Sequence, residues 1–136
     1  MTKLIIVTHG PLAKAFQDSG EMFFGDQVNE MTTIGLFPNK SLEELKEEIQ
    51  IAITTAETNE FLIFVDILAG TPFNVVALLI DELKENYQLE CFAGVNMPLV
   101  MEALASKETM SAKELAEHID EMAATTIVNL RKTLEI

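Results

Sequence analysis

The sequence predicts an α/β protein: a doubly wound, mostly parallel sheet with helices on both faces. Three observations carry this reading. Short apolar runs alternate with longer amphipathic stretches along the whole chain, the pattern of βαβ units. One run, Phe61–Val65, is apolar throughout, as a central strand covered on both sides must be. Helix starts are marked by Gly10-Pro11 and Gly70-Thr71-Pro72, and by Ser41 and Ser111, each followed one turn later by a glutamate.

Taken in order, Lys3–Val7 reads as the first strand. Pro11 to Phe24 reads as a helix with Leu12, Ala15, Phe16, Ser19, Met22 and Phe23 on one side, stopped by Gly25-Asp26. Met31–Leu36 is the second strand. Ser41 opens a long helix whose apolar stripe is Leu42, Leu45, Ile49, Ala52, Ile53 and Ala56. Phe61–Val65 is the third strand, followed by a helix from Pro72 or Asn74 to Glu85. Gln88–Ala93 is the fourth strand. Pro98 to Ala105 reads as a short helix, and Ser111 caps another that runs to Met122. The tail Thr125–Leu130 is ambiguous: its β-branched residues favour a strand, yet Leu130, Arg131 and Leu134 can continue a helix.

At 136 residues the chain is expected to form one domain, spanning 1–136. It carries 22 acidic and 9 basic residues, a formal net charge of -13. Nucleic acid and anionic membrane surfaces are therefore unfavourable ligands. Such a surface steers basic protein partners, or serves solubility alone. The lone Cys91, in an apolar stretch, reads as a buried structural thiol. No Cys/His metal set is visible, and neither metal nor cofactor is expected. No run approaches the roughly 18 apolar residues of a membrane span, and no secretory leader is evident. The expected location is the cytoplasm. His118 reads as a helix-surface residue.

Functional residues gather at strand ends. His9 follows the first apolar strand at once and precedes Gly10-Pro11. In open α/β sheets ligands bind at the carboxyl ends of strands, and an imidazole there can act as nucleophile, base or ligand. Asp66 stands in the same place after strand three. In the order 2-1-3-4, strands one and three are neighbours, so His9 and Asp66 face each other across one crevice. A histidine that attacks phosphorus needs one bare ring nitrogen and an acceptor for the proton on the other; Asp66 suits the second task. Gly10, Gly70 and Thr71 lie at helix starts, where free N–H groups favour a phosphate. Asn74 either ties this loop to backbone or belongs to a cap. Asn96, after strand four, can shape the crevice floor, and Met97 and Met101 can form an adaptable apolar rim. Apart from Lys3 and Lys14, no cation stands near either motif in the sequence. Each residue also has a plainer reading: a satisfied histidine, a turn-forming aspartate, simple turn chemistry.

Three markers in order resemble the enzyme IIA domain of the mannose family of the bacterial sugar phosphotransferase system. They are Thr8-His9-Gly10, Asp66 with Gly70-Thr71-Pro72-Phe73-Asn74, and Ala93-Gly94-Val95-Asn96-Met97-Pro98. The resemblance spans nearly the whole chain. It implies that His9 accepts a phosphoryl group on Nε2 from phospho-HPr and passes it to a cognate enzyme IIB, for sugar import driven by phosphoenolpyruvate. It implies that Asp66 orients the ring, through Nδ1, and that Thr71 falls where the family has a serine or threonine near the phosphate; beside the resemblance, Gly10 and Gly70 read as phosphate-binding and Thr8, Asn74 and Asn96 as supporting residues. It also implies a homodimer and an antiparallel edge strand exchanged between subunits, for which Thr125–Leu130 is the candidate. One departure is Ala69, where relatives often carry glycine; a Cβ is costly there if the position needs positive φ.

Two other classes compete. A receiver-like regulatory domain would be phosphorylated on Asp66, but receivers place an acidic pair after strand one, where this chain has Thr8 and His9. A nucleotide-binding or interaction module would want a glycine-rich phosphate loop, which is missing.

Overall fold

The computed structural model describes all residues from Met1 to Ile136. Four strands, β1 (Lys3–His9), β2 (Thr32–Leu36), β3 (Glu60–Val65) and β4 (Gln88–Ala93), form one parallel sheet in the order β2-β1-β3-β4. The helices are α1 (Leu12–Phe24), α2 (Leu42–Thr54), α3 (Thr71–Leu83), α4 (Met97–Ser106), α5 (Ala112–Ala123) and α6 (Leu130–Leu134). A short 3-10 segment, Gly25–Glu30, joins α1 to β2. Strand β1 extends beyond its apolar run because Thr8 and His9 still pair with Gly35 and Leu36.

The two central strands are apolar on both faces, and their alternation splits the core in two. Leu4, Ile6, Leu62 and Phe64 pack beneath α1, α4 and α5, against Ala13, Val100 and Leu115 among others. Ile5, Val7, Phe61, Ile63 and Val65 pack on the other side beneath α2 and α3, against Leu45, Ile49, Val75 and Leu79. Burying an aliphatic or aromatic side chain of this size contributes about 1.5–3 kcal/mol. Ser41 accepts the Glu44 N–H at 3.1 Å to start α2. At α5 the capping box is complete, with Ser111 and Glu114 each satisfying the other's backbone N–H.

Two expectations need correction. The buried side of α1 is Ala13 and Gly20, with Phe16 and Phe24 packed on the core, while Met22 and Phe23 are 87% and 61% exposed. The helix lies close to the 3-10 segment, and small residues permit that approach: a Cβ on Gly20 would stand 3.3 Å from Val28 Cγ1. Within the single chain Thr125–Leu130 adds no strand to the sheet. Instead the Thr125 and Thr126 hydroxyls and amides all bond back to Met122 and Ala123 carbonyls, winding off the end of α5, and Asn129 caps α6. These local side-chain bonds compete with strand pairing. His118 is not a free surface residue; its Nε2 lies 2.7 Å from Glu102 Oε1, joining α5 to α4. The bond from His118 holds the Glu102 carboxyl below the usual glutamate range. Cys91 is partly buried in β4, and burial pushes its thiol up to about 12, so it stays protonated at neutral pH.

The start of α1 is set by strand β1. Pro11 offers no side-chain cap, and the buried Thr8 hydroxyl accepts the Ala13 N–H at 2.8 Å instead. One strand residue thus fixes where the helix begins, directly beside His9. Thr8→Val removes the acceptor, leaves that amide unsatisfied, and is expected to cost about 1–2 kcal/mol in urea unfolding. A loss below a few tenths would remove Thr8 from this role.

Candidate functional site

His9 ends β1, and its side chain is 45% exposed. Asp66 is the first residue after β3 and is only 9% exposed. Pairing between the two strands runs to Val7 and Val65, so both side chains overhang the same rim. Asp66 Oδ2 accepts the His9 backbone N–H at 3.0 Å and lies 2.9 Å from ring Nδ1. Its Oδ1 accepts the Ile67 N–H at 3.1 Å. A carboxylate can only accept, so the ring proton sits on Nδ1 and Nε2 carries a lone pair. Burial by itself would raise the Asp66 pKa. The His9 backbone N–H, the ring bond and the ring's charge outweigh it and hold the carboxyl below the usual aspartate range.

The loop after β3 closes on the ring. Gly70 is the N-cap of α3, and no side chain caps that helix, which leaves first-turn amides open at Thr71 and beyond. A Cβ on Gly70 would stand 3.2 Å from His9 Cε1. The glycine is needed for this close approach, not for its φ. Positive φ falls one residue earlier, on Ala69 at 62°. The departure noted in the sequence therefore stores strain in the loop that presses on His9. Asn74 Nδ2 donates to Ala69 O at 3.4 Å and helps hold the turn.

Gly10 does bend the chain with φ 57°, but its amide donates to Leu36 O at 2.7 Å. That amide is engaged by β2, so phosphate contact there would need other donors. Asn96 does not floor a crevice. Its Oδ1 caps α4 by accepting the Leu99 N–H, and its Nδ2 donates to Thr126 Oγ1, anchoring the tail.

The open space beside His9 lies on the other flank from Asp66. A hollow of about 480 Å³ is lined by His9, Gly10, Leu36, Phe37, Pro38 and Lys40, between the ends of β1 and β2. Sequence reasoning missed Lys40. It lies beyond the end of β2, and the turn that returns it, closed by its N–H on Phe37 O at 2.9 Å, has no unmistakable signature. The one available signal was topological: β2 ends at the same rim as β1. A hollow of similar size, about 500 Å³, lies at the opposite end of the strands near Thr2, Lys3, Glu30 and Lys107. There the Lys107 ammonium is already paired with Glu30 and Glu108, far from His9 and Asp66.

Because the Asp66 carboxyl is held low, it contributes stability that is present above its unfolded pKa, about 3.9, and lost as pH falls through the folded value. Wild type should therefore exceed Asp66→Asn in urea midpoint at neutral pH, with the gap closing below about pH 4. A gap independent of pH would contradict the pairing.

Over residues 3–120 the chain matches the family EIIA-man, described as PTS system fructose IIA component. It is 32% identical over 124 residues, 90% of this chain and 82% of the relative, to the PTS system fructose-specific EIIA component of Bacillus subtilis (strain 168). It is 32% identical over 117 residues, 86% and 82% of the two chains, to the PTS system sorbose-specific EIIA component of Lacticaseibacillus casei. The solved phosphotransferase system component EIIA from Streptococcus agalactiae has a TM-score of 0.89 and 26% identity, covering 97% of this chain and 99% of that one. No helix here is long and apolar enough to cross a membrane. With the sheet order, the strand-end motifs and these matches in agreement, the chain belongs to the mannose-family enzyme IIA components of the sugar phosphotransferase system.

Proposed function

We propose that this component carries phosphate on His9 Nε2, taking it from phospho-HPr and giving it to an enzyme IIB. The observation that carries the reading is the 2.9 Å contact of Nδ1 with Asp66 on a ring whose other nitrogen is unbonded. In the transfer, the Nε2 lone pair forms the new N–P bond as the donor's N–P bond breaks, and that electron pair returns to the donor ring. Positive charge develops on the His9 ring, and the Asp66 carboxylate stabilises it while keeping its proton on Nδ1. The uncapped start of α3 supplies dipole and amides toward the phosphoryl oxygens, with the Thr71 hydroxyl beside them. The step needs no metal, because the phosphorus arrives already activated as a phosphohistidine.

The sugar does not enter this chemistry. Relatives named for fructose and for sorbose match this chain alike, so sugar choice in this reading lies in other subunits. The exposed apolar tail, Ile127, Val128, Leu130, Leu134 and Ile136, suits contact with a second copy of the chain, in a homodimer. The receiver reading gains nothing from the geometry, since Asp66 is nearly covered and both its oxygens already accept hydrogen bonds.

Incubation with labelled phosphoenolpyruvate, enzyme I and HPr is expected to place label on His9, stable in alkali and lost in acid. His9→Ala should take up none. Asp66→Asn should still fold but accept phosphate at least about tenfold more slowly, because an amide can favour the wrong tautomer. Label on Asp66, with acyl-phosphate lability, would instead establish the receiver reading. A second variant probes the close approach: Gly70→Ala forces the pinned ring to shift by a few tenths of an ångström and should slow transfer about tenfold. Unchanged rates would show that the loop does not hold the ring.

A further inference from the structure

We propose that Lys40 is the cation that holds the phosphoryl group on His9, and that Glu48 holds Lys40 in reserve until that group arrives. The inference rests on His9 being the phosphoryl carrier and adds a residue to that site. It starts from a charge problem. The chain already carries a formal net charge of -13, and Asp66 lies against the reacting ring. A phosphoryl group adds close to two further negative charges at neutral pH. The hollow next to the ring is otherwise apolar, with Leu36, Phe37 and Pro38 in its wall, and Lys40 is the cationic side chain lining it beside His9.

Local geometry parks the ammonium at the margin of that hollow. Leu36 is the register partner of His9, and Lys40 Nζ donates to the carbonyl of Gly35, one residue earlier, at 2.8 Å. The Leu36 carbonyl turns toward β1, where it accepts the Gly10 N–H, so the Gly35 carbonyl turns the other way and holds the resting ammonium at the outer edge of β2. It also lies 5.9 Å from the centroid of the Phe37 ring, a cation–π contact on the wall of the same hollow. Its remaining partner is the Glu48 carboxylate on α2, which is half exposed. The Lys40 side chain itself is only 20% exposed, so solvent screens the pair chiefly from the carboxylate side. A flexible lysine stem can leave the Glu48 carboxylate and the Gly35 carbonyl and swing across the shared hollow to phosphoryl oxygens. No bond to Lys40 forms or breaks; it donates hydrogen bonds and remains protonated, while the N–P bond exchange takes place at Nε2.

A purely structural Lys40 would tie the loop after β2 to α2. Lys40→Met and Glu48→Gln would then break the same tie and act in the same direction. The proposal requires opposite signs. The measurement is the equilibrium between phospho-HPr and the chain, read as the fraction of His9 phosphorylated at fixed HPr ratios, together with the hydrolysis rate of phospho-His9. Lys40→Met should lower the equilibrium constant about tenfold, and Lys40→Arg should restore part of the loss. Glu48→Gln, which frees the ammonium, should raise it about threefold. Values for Lys40→Met within twofold of wild type, or shifts of the same sign in both variants, would overturn the proposal while leaving His9 as the carrier. If Lys40→Met does not fold, the failure of Glu48→Gln to raise the constant overturns it alone. Absence of label on wild-type His9 would remove the carrier reading and this inference together.

Discussion

Asp66 Oδ2 takes two hydrogen bonds from one residue, the backbone amide and the ring Nδ1 of His9, and the proposed chemistry of this chain depends on that pair. The first bond fixes where the aspartate sits relative to the strand end. The second fixes the tautomer and turns Nε2 outward. Burying a carboxylate carries a desolvation penalty, and here the gathered donors more than offset it. The arrangement is possible only because β1 and β3 are adjacent and parallel, with their pairing ending at Val7 and Val65, two residues before His9 and one before Asp66.

The rest of the scaffold keeps this rim rigid on one side and open on the other. Thr8 locks the start of α1 beneath His9, and Gly70 brings the start of α3 against the ring's Cε1 edge. Gly10 is committed to β2 through Leu36. What stays open is the flank toward β2, apolar and lined by one lysine, the side from which a partner's group can approach. The loop that supports the ring carries its own cost in the left-handed backbone of Ala69, a position where glycine would relax the turn.

Much of this was legible before the structure. Apolar runs located all four strands, because buried parallel strands leave little room for polar residues. The sheet order and the His9–Asp66 pairing followed from the alternation of elements and from the rule that sites gather at strand ends. What was not legible has identifiable physical causes. The buried side of α1 is built from Ala13 and Gly20, whose smallness matters through close packing and not through hydrophobicity, while apolar Met22 and Phe23 face outward. The tail carries strand-like residues, but within the single chain its threonine hydroxyls bond to nearby carbonyls and wind it off the end of α5. Lys40 returns to the rim through a turn whose sequence, Phe37-Pro38-Asn39-Lys40, gives no hint of where the ammonium ends. Asn96 looked like a crevice residue because it follows a strand, yet it serves as a helix cap and an anchor.

A carboxylate, Asp66, sets the protonation pattern of one imidazole, His9. Long-range proton–nitrogen NMR on the uniformly ¹⁵N-labelled, unphosphorylated chain reads that pattern directly, at a pH where the ring is neutral. The expected result is a protonated Nδ1 and an Nε2 with the shift of a bare, lone-pair nitrogen. A proton found on Nε2 would contradict it.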